Sequence, residues 1–359
     1  MKLLTANMKM ADVIQSNYLL MPVIGRFGIP FGFGEKTVHE VCKKCRVDIE
    51  FFLAISNAFS HEEYFPERKL QTFNVLMIIN YLEKTHSYYI KTQVPLIEKL
   101  INDLIRHRPA DKKNLGLIKK FFIEYKRELL IHLKREERVT FPYIKKVYKM
   151  YQAPRVSNKE KRTLTQYSMH VYEEEHSDVD EKLFDLKNIL IKYVRGDSMQ
   201  ALYHEVIFEL FRLEKDIQDH TRIENKILLP LVADMEDTLF YPKEHSRRTA
   251  GSSMLQASSQ IPIQDSGSSP FTKHTFELSP LSSKHGLQKL EGLSSREIEV
   301  LQLVACGFLN KEIADQLSIS LHTVISHRKN ITRKLQIKTV AGLTIYALLN
   351  GLISSKNIN

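Results

Sequence analysis

The sequence predicts an all-α protein whose central element is a bundle of four long helices running up, down, up and down. Three observations predict this class. Apolar residues recur at helical spacing along four stretches between positions 70 and 235. The 359 residues include 13 glycines and 12 prolines, a content that favours long helices over many short strands. No strand-like segments alternate with helical ones. At this length, two or three domains are expected.

Residues 1–68 are expected to form a small helical unit. Helical periodicity between Ala11 and Ser60 is interrupted by a turn rich in glycine, from Phe27 to Gly34. The first residues lack the apolar run of a signal peptide, and no stretch is long and apolar enough to span a bilayer. We therefore expect a cytoplasmic protein that does not enter a membrane.

The three cysteines are too few for a disulfide framework, which fits a reducing compartment. Cys42 and Cys45 form a single C-x-x-C pair. A zinc site would need two further ligands nearby. We therefore prefer the interpretation that the two cysteines are ordinary helix residues, three positions apart. Cys306 is expected in a core.

The bundle is predicted over residues 69–240. Between its helices stand segments with turn chemistry, Arg108–Asp111, Ala153-Pro154 and Arg195–Asp197, and Ser198 can cap the fourth helix. Short connections of this kind join antiparallel neighbours. The four helical stretches are Gln71–Ile105, Leu115–Tyr151, Thr163–Val194 and Ser198–Met235.

Histidines and glutamates recur on these four helices in a duplicated pattern. The second and fourth helices each carry an H-x-x-x-E pair, whose i, i+4 spacing places both side chains on one face, about 6 Å apart. The first and third helices each carry one histidine. Within each helical hairpin, the histidine of the first helix and that of the second are 46 or 44 residues apart. In an antiparallel hairpin, this separation can bring both histidines to the same height along the bundle. The residues are His86, His132, Glu136, His176, His220 and Glu224.

Four imidazoles and two carboxylates aimed at one point suit iron, manganese or zinc, and no thiolate biases the site towards soft metals. Two carboxylates can bridge two metals, which leaves coordination positions open for a small molecule. A lone histidine on a helix is more often a surface or core residue, and lone His/Glu pairs are common on solvated faces. The duplication in both halves favours a metal centre over that alternative.

This pattern resembles the hemerythrin-like proteins, most closely the repair-of-iron-centres group. Phe141-Pro142 and Leu229-Pro230 follow the two H-x-x-x-E pairs, as they tend to do in that family. The resemblance implies a non-haem centre of two iron ions, with Glu136 and Glu224 as bridging ligands and the histidines as terminal ligands. It also makes His107 a further candidate near the metals. The family has a Cys-Cys-Gly-Gly turn in its small N-terminal domain, where this chain has Gly32-Phe33-Gly34. Any thiol-dependent role of that unit is therefore in doubt.

Residues 241–288 are predicted to be a flexible linker. The segment is rich in Ser, Gln, Pro and Thr and has few large aliphatic residues, so it cannot bury enough surface to offset the entropy of ordering. Residues 289–359 then form a separate domain.

That last domain has the pattern of a helix-turn-helix module. Ser294 and Glu297 have capping-box spacing at the start of a first helix, which ends at Gly307. Asn310 can cap a second helix, Lys311 to Leu317, and after a short turn Ser320 can cap a third, Leu321 to Leu335. The third helix is basic, and no Asp or Glu follows Asp315, so it can approach phosphates without repulsion.

The final helix, Thr339 to Leu349, is almost wholly apolar or small. It is too hydrophobic for a solvated terminal helix, so it is expected to pack on the module and to offer a dimer seam. Homodimerisation is therefore expected.

The segment resembles the LuxR-type, or NarL-type, DNA-binding domain. The resemblance is carried by Ser295-Arg296-Glu297, Glu299-Val300-Leu301, Asn310–Ala314, Thr323-Val324, His327 and Lys334-Leu335. It implies that Thr323 and Val324 anchor the recognition helix, while positions 325, 326 and 329 face the bases. A lysine often follows the Thr-Val pair in the family, and Ile325 stands there here, so a different base preference is expected. The DNA-binding residues predicted are Thr323, Val324, Ile325, Ser326, Arg328, Lys329, Arg333 and Lys334.

Together these features predict a transcription regulator, not an enzyme, that binds double-stranded DNA under the control of the metal centre. The ligand sensed would be oxygen, nitric oxide, another redox signal or iron itself. A net charge of +10 suits a polyanionic partner, although it is common in proteins with none. One alternative is a protein that handles iron, repairs iron centres or processes nitric oxide, with secondary DNA binding. Another is a bundle without metal that serves as a dimerisation scaffold. Iron rather than manganese or zinc rests on the resemblance.

Overall fold

The computed structural model describes residues 3–61, 63–107, 112–154, 156–157, 164, 177–194, 200–240 and 292–354. Within these ranges the secondary structure is helical, with one isolated β-bridge between Lys9 and Thr37 and no strands. The predicted all-α class is confirmed. No helix among the described residues has the length and apolar character needed to cross a membrane.

The N-terminal unit consists of short helices whose starts are capped by polar side chains. Thr37 and Glu40 form a complete capping box, and the Asp48 side chain accepts from the N–H of Phe51. A 3₁₀ turn at Tyr18–Leu20 joins the first two helices. The helices are α1 (Met10–Ser16), α2 (Met21–Arg26), α3 (Val38–Cys45), α4 (Ile49–Ser60) and α5 (Glu67–Leu70).

The bundle begins after this unit, and three of its four long helices contain a π-turn. The first is α6 (Val75–Tyr88), a π-turn (Tyr89–Gln93) and α7 (Val94–His107); the second is α8 (Lys112–Arg135), a π-turn (Glu136–Thr140) and α9 (Phe141–Tyr151). The third, α10 (Ser177–Tyr193), is described without such a turn. The fourth is α11 (Gln200–Ile223), a π-turn (Glu224–Leu228) and α12 (Leu229–Phe240). Contacts of α7 with α8, α8 with α10, α10 with α11 and α11 with α7 close the expected four-helix ring.

Each π-turn precedes a proline by the same interval. Val94-Pro95, Phe141-Pro142 and Leu229-Pro230 stand directly after the three turns. The residue before each proline donates its N–H to the carbonyl five residues back instead of four. A proline ring inside an α-helix clashes with the carbonyl four residues before it, and a widened turn relieves that clash. The repeated X-Pro pair is therefore the local signal for these turns.

The structure moves some predicted helix ends. The first long helix starts at Val75 with Asn74 as its cap, not at Gln71, because Gln71 closes the short helix α5. The fourth helix continues past Met235 to Phe240. Several predicted features lie outside the described residues: the start of the third stretch from Thr163, the turns Arg108–Asp111 and Arg195–Asp197, the Ser198 cap and the linker 241–288.

The C-terminal domain has the four helices expected of it: α13 (Ser295–Ala305), α14 (Asn310–Leu317), α15 (Leu321–Leu335) and α16 (Val340–Leu349). The Ser294–Glu297 capping box forms, and Ser320 caps α15. Asn310, expected as a cap, is instead the first residue of α14, and its side chain accepts from Arg328. Thr339, expected as the first residue of α16, is its N-cap.

Two apolar clusters organise the core. One joins the N-terminal unit to the end of the bundle formed by α6, α9 and α12. The other joins the opposite end of the bundle to the C-terminal domain, because α16 packs against α10 and α8 as well as against α13. The bundle and the C-terminal domain are therefore in direct contact.

A buried ion pair ties the N-terminal unit to the bundle. Arg26 of α2 donates from both terminal nitrogens to the two carboxylate oxygens of Asp216 on α11, and both side chains are less than a tenth exposed. The guanidinium also lies 4.9 Å from the centre of the Tyr88 ring. Because 190 residues separate the partners, no local pattern could have indicated the pair.

We expect Arg26→Leu to lower the free energy of unfolding by about 3–5 kcal/mol, because it leaves the Asp216 carboxylate buried without a counter-charge. Urea unfolding of the metal-free chain is the measurement. The double variant Arg26→Leu, Asp216→Leu should recover part of the loss. Lys9→Met, which breaks an exposed ion pair with Glu35, should cost far less. Equal losses from Arg26→Leu and Lys9→Met would contradict this account.

Candidate metal centre and nucleic-acid interface

Four of the six residues that the duplicated pattern singled out meet inside the bundle, where α-helix gives way to π-turn. His86 lies in the last turn of α6, shortly before the first π-turn. Glu136 and Glu224 are the first residues of the second and third π-turns. His220 lies in the last turn of α11, four residues before Glu224. The widened turns therefore occur beside the candidate ligands, as π-turns often do at functional sites.

Four of the six predicted ligands form one buried cluster. Ligand atoms of His86, Glu136, His220 and Glu224 all lie within 4.8 Å of one another. Nε2 of His86 is 3.1 Å from Oε2 of Glu136 and 3.3 Å from Nε2 of His220. Nε2 of His220 is 3.2 Å from Oε1 of Glu224. Helices distant in sequence thus bring these donor atoms to one point.

The other predicted ligands differ in position. His132 lies at the edge of the cluster, with Nε2 2.9 Å from Oε1 of Glu136 and its side chain 19% exposed. His176 lies outside the described residues. His107 ends α7, 21 residues from His86 on the same long helix, a distance of roughly 30 Å. The suggestion that His107 is near the metals is wrong, because the helix carries it to the opposite end of the bundle.

The electrostatics of the cluster are set by two carboxylates in its interior. The side chains of Glu136 and Glu224 are 1% and 0% exposed. Burial disfavours protonation of His86, but hydrogen bonds to Glu136 and Glu137 outweigh it and raise the pKa of His86 to about 9. Burial and the charge on His86 lower the pKa of His220 to about 3. Without metal, a proton on His86 thus supplies positive charge that the carboxylates require.

Residues around the cluster hold its ligands in place. Nδ1 of His86 is 3.1 Å from Oε1 of Glu137, so a carboxylate fixes the orientation of this ring. The ring of Phe141 stacks on the ring of His86, with 5.5 Å between the ring centres. Glu137 was not predicted. Its position next to Glu136 in the sequence does not predict the contact with His86, because the π-turn determines on which face of the helix Glu137 lies.

The donor set fits a metal. Imidazole nitrogens and carboxylate oxygens are ligands that iron, manganese and zinc accept. Buried carboxylates are costly unless a cation compensates them. His86, His132, His220, Glu136 and Glu224 would hold the metal, with the Glu137 carboxylate supporting His86.

The predicted DNA-binding residues lie on α15 in different environments. Ile325, Ser326, Lys329 and Arg333 are exposed, whereas Val324 is buried as an anchor of the helix. Arg328 donates to Asn310 of α14, and burial lowers its pKa. Nζ of Lys334 is 2.7 and 2.9 Å from the Glu297 carboxylate oxygens, so this lysine braces α15 against α13. Thr323 is partly buried, and its N–H donates to Ser320 at the start of the helix.

Two family models match the chain, in the order in which the sequence suggested them. Residues 89–232 match the hemerythrin HHE cation binding domain, a range that begins three residues after His86. Residues 291–347 match the bacterial regulatory proteins of the luxR family. The chain therefore combines a hemerythrin-like cation-binding domain with a LuxR-type regulatory segment.

Curated relatives share part of their length with this chain. The transcriptional regulatory protein MctR of Rhizobium johnstonii is 48% identical over 62 residues, which are 17% of this chain and 29% of the relative. The oxygen regulatory protein NreC of Staphylococcus carnosus is 46% identical over 61 residues, 17% of this chain and 28% of the relative. The chain thus spans less than a third of the length of these relatives.

We expect metal binding to release protons, because a metal ion and a proton compete for His86. With its pKa at about 9, this histidine is protonated in the metal-free chain at neutral pH. The apparent affinity for a divalent metal should rise about tenfold per pH unit between pH 7 and 8 for each proton released, and level off above pH 9. Calorimetric titration in two buffers of different ionisation enthalpy measures the proton count. An affinity independent of pH would contradict the assignment of His86.

Proposed function

We propose that this chain, which joins a hemerythrin-like bundle to a LuxR-type segment, is a transcription regulator whose affinity for DNA is set by a non-haem di-iron centre. The observation that carries the proposal is the buried His/Glu cluster in the same chain as an exposed basic recognition helix. A regulator of this kind needs an input and an output. The cluster provides the first, and α15 provides the second.

The input is assigned to two iron ions held by His86, His132, His176, His220, Glu136 and Glu224. Iron is preferred to manganese or zinc because the bundle is similar to the hemerythrin domain. Iron changes its oxidation state and binds small molecules at open coordination positions. Zinc does not change its oxidation state. The protein's own part is to bind and orient the metal through α6, α8, the π-turns and α11, and to keep bulk water away by burial.

The stimulus is a small molecule or redox change that reaches the cluster: oxygen, nitric oxide, another oxidant or the supply of iron. A narrow cavity lined by His220, Asp216 and Tyr81 lies beside the cluster, where the N-terminal unit meets the bundle. We take this cavity as a candidate approach for a diatomic ligand. One relative is named an oxygen regulatory protein, which supports oxygen as the first stimulus to try.

The output is binding of double-stranded DNA by a homodimer through α15. The exposed side chains of Ile325, Ser326 and Lys329 would reach the bases, with the methyl groups of thymine as a partner for Ile325. Arg333 would contact phosphate. Val324 supports the helix from the core of the domain, and Lys334 supports it through its ion pair with Glu297. The domain limits that go with this proposal are residues 1–68, 69–240, 241–288 and 289–359.

The central test joins metal content to DNA binding. Protein purified without oxygen should contain about two irons per chain, and its ultraviolet–visible spectrum should change in air. Glu224→Gln and His132→Ala should lose iron, because each removes a ligand from the set. Their DNA binding, measured on duplexes that the full-length protein selects from a random pool, should no longer respond to air. The coupling expected in the wild type is about 5- to 150-fold.

Lys149→Ala, an exposed change on α9, is a control that should keep both iron and response. Wild-type DNA binding that ignores the metal state would contradict the sensor. Transfer of iron from this protein to an apo-acceptor protein would favour an iron-handling function over the sensor function.

Lys329→Ala tests the recognition helix separately. The side chain is exposed on α15, and loss of a base or phosphate contact should weaken DNA binding by about 1–3 kcal/mol. Fluorescence anisotropy on the selected duplex, repeated at several salt concentrations, measures the loss and its salt dependence. Lys149→Ala removes an equal charge from the bundle and should leave binding unchanged. Equal DNA affinity of the two variants would contradict the assignment of the DNA-binding surface to α15.

A further inference from the structure

A second cavity lies where the N-terminal unit meets the bundle. It adjoins the narrow cavity beside His220, because Phe59 and Asp216 line both. Its volume is about 250 Å³, a little below the roughly 300–1,000 Å³ of pockets that hold drug-sized ligands. None of the candidate metal ligands is among the described residues that line it. The cavity is therefore separate from the His/Glu cluster, and its size suits a ligand built on a single ring.

Apolar side chains from two parts of the molecule form the walls of this cavity. Leu19, Pro22 and Phe59 belong to the N-terminal unit, and Phe208 and Phe211 belong to α11. The two phenylalanines of α11 are 44% and 46% exposed. Aromatic rings left in contact with water beside a cavity favour a ligand that covers them. These walls therefore predict an apolar ligand that contains a flat ring.

One buried polar group in the lining lacks a hydrogen-bond partner. Gln93, the last residue of the first π-turn, is 1% exposed. Its Oε1 has no partner among the described residues. The other buried polar residue of the lining, Asp216, is already bound by Arg26. Because a buried amide oxygen is unfavourable without a donor, a ligand with a hydroxyl or N–H group at this point would supply the missing bond.

Two partly exposed cations line the same cavity. The Arg212 guanidinium donates to Glu209 at 2.6 Å, and Nζ of Lys215 is 3.1 Å from Oδ2 of Asp219. Neither of these carboxylates is among the described residues that line the cavity. A ligand therefore meets the positive side of both ion pairs. A carboxylate group is the complement of these two cations.

We propose that this cavity binds a small aromatic carboxylic acid that carries a hydroxyl or N–H donor on its ring. The donor bonds to Oε1 of Gln93, the ring lies against the apolar walls, and the carboxylate faces Arg212 and Lys215. Because the walls come from the N-terminal unit and from α11, the ligand joins these two parts of the chain. The site goes beyond the proposed function. It gives the chain a second input that requires neither the metal nor DNA.

The probe is 4-hydroxyphenylacetate, and two compounds of the same shape serve as its controls. Phenylacetate lacks the hydroxyl group, and 4-hydroxyphenylacetamide replaces the carboxylate with a neutral amide. Calorimetric titration of the full-length chain measures their affinities, before and after removal of metal. Equal affinity in the two forms is expected, because the site contains no metal ligand. Hydrogen exchange with the bound probe should slow at residues 19–22 and 208–215.

Gln93→Leu removes the amide oxygen and keeps a side chain of similar size. It should weaken binding of 4-hydroxyphenylacetate roughly 2- to 10-fold, which is the effect of one neutral hydrogen bond. Binding of phenylacetate should stay the same. An equal loss for both compounds would overturn the assigned bond, because only a general change of the cavity acts on both.

Phe211→Ala removes an exposed ring of the wall and should weaken binding of both acids roughly 2- to 10-fold. Tyr151→Ala on α9 removes a ring of similar exposure, 43%, away from the cavity and should leave both affinities unchanged. Circular dichroism verifies that the variants fold. Equal affinities of the two variants would overturn the assignment of the cavity.

The neutral amide should bind about tenfold more weakly than the acid, because it loses the charge that faces the two cations. Binding as tight as that of the acid would overturn the carboxylate assignment. Absence of saturable binding, affinity that requires metal, or slowed exchange confined to other residues would overturn the site. The proposed function is tested by iron content and DNA binding, so the failure of one proposal is distinguishable from that of the other.

Discussion

Two glutamates, Glu136 and Glu224, place their carboxylates inside the bundle, and compensation of that buried charge governs the arrangement around them. A buried carboxylate without a cation is strongly destabilising. Three histidines approach these two groups, and one of them has its pKa raised to about 9. The cluster lies where the two apolar clusters of the molecule meet, one extending to the N-terminal unit and one to the C-terminal domain. A metal ion held by these histidines and by Glu136 and Glu224 would supply the positive charge that the buried carboxylates require.

The helix geometry beside the cluster follows from prolines. In a regular α-helix each proline would clash with the preceding turn, and the π-turn that avoids the clash also changes the direction in which the flanking residues point. Glu136 and Glu224 open two of these turns, so the constraint that proline imposes on the backbone also places both acidic ligands. The first turn, before Val94-Pro95, begins at Tyr89, three residues after His86. The ion pair of Arg26 with Asp216 then fixes the N-terminal unit one helical turn from His220.

At the opposite end of the bundle, hydrogen bonds stabilise another buried carboxylate. Asp185 is buried like Glu136 and Glu224, but its partners are N–H groups and a hydroxyl at the start of α16. These hydrogen bonds exist only while the bundle and the C-terminal domain are in contact. The His/Glu cluster and Asp185 therefore belong to the same four helices, and α10 lies next to both α8 and α11 in the ring. Helix α10 therefore contacts the bundle helices beside the cluster and also the C-terminal domain.

The sequence by itself determined the all-α class, the four long helices, the limits of α15 and the caps at Ser294 and Ser320, because helical periodicity and capping are local effects. It also singled out His86, Glu136, His220 and Glu224, since a duplicated spacing can be read along the chain. Only the tertiary structure decided that these four meet while His107 does not, because a long helix carries His107 away. It alone revealed Arg26 with Asp216 and Asp185 with α16, whose partners are 190 and about 150 residues apart. Such pairs have no period or motif, since packing between distant helices creates them.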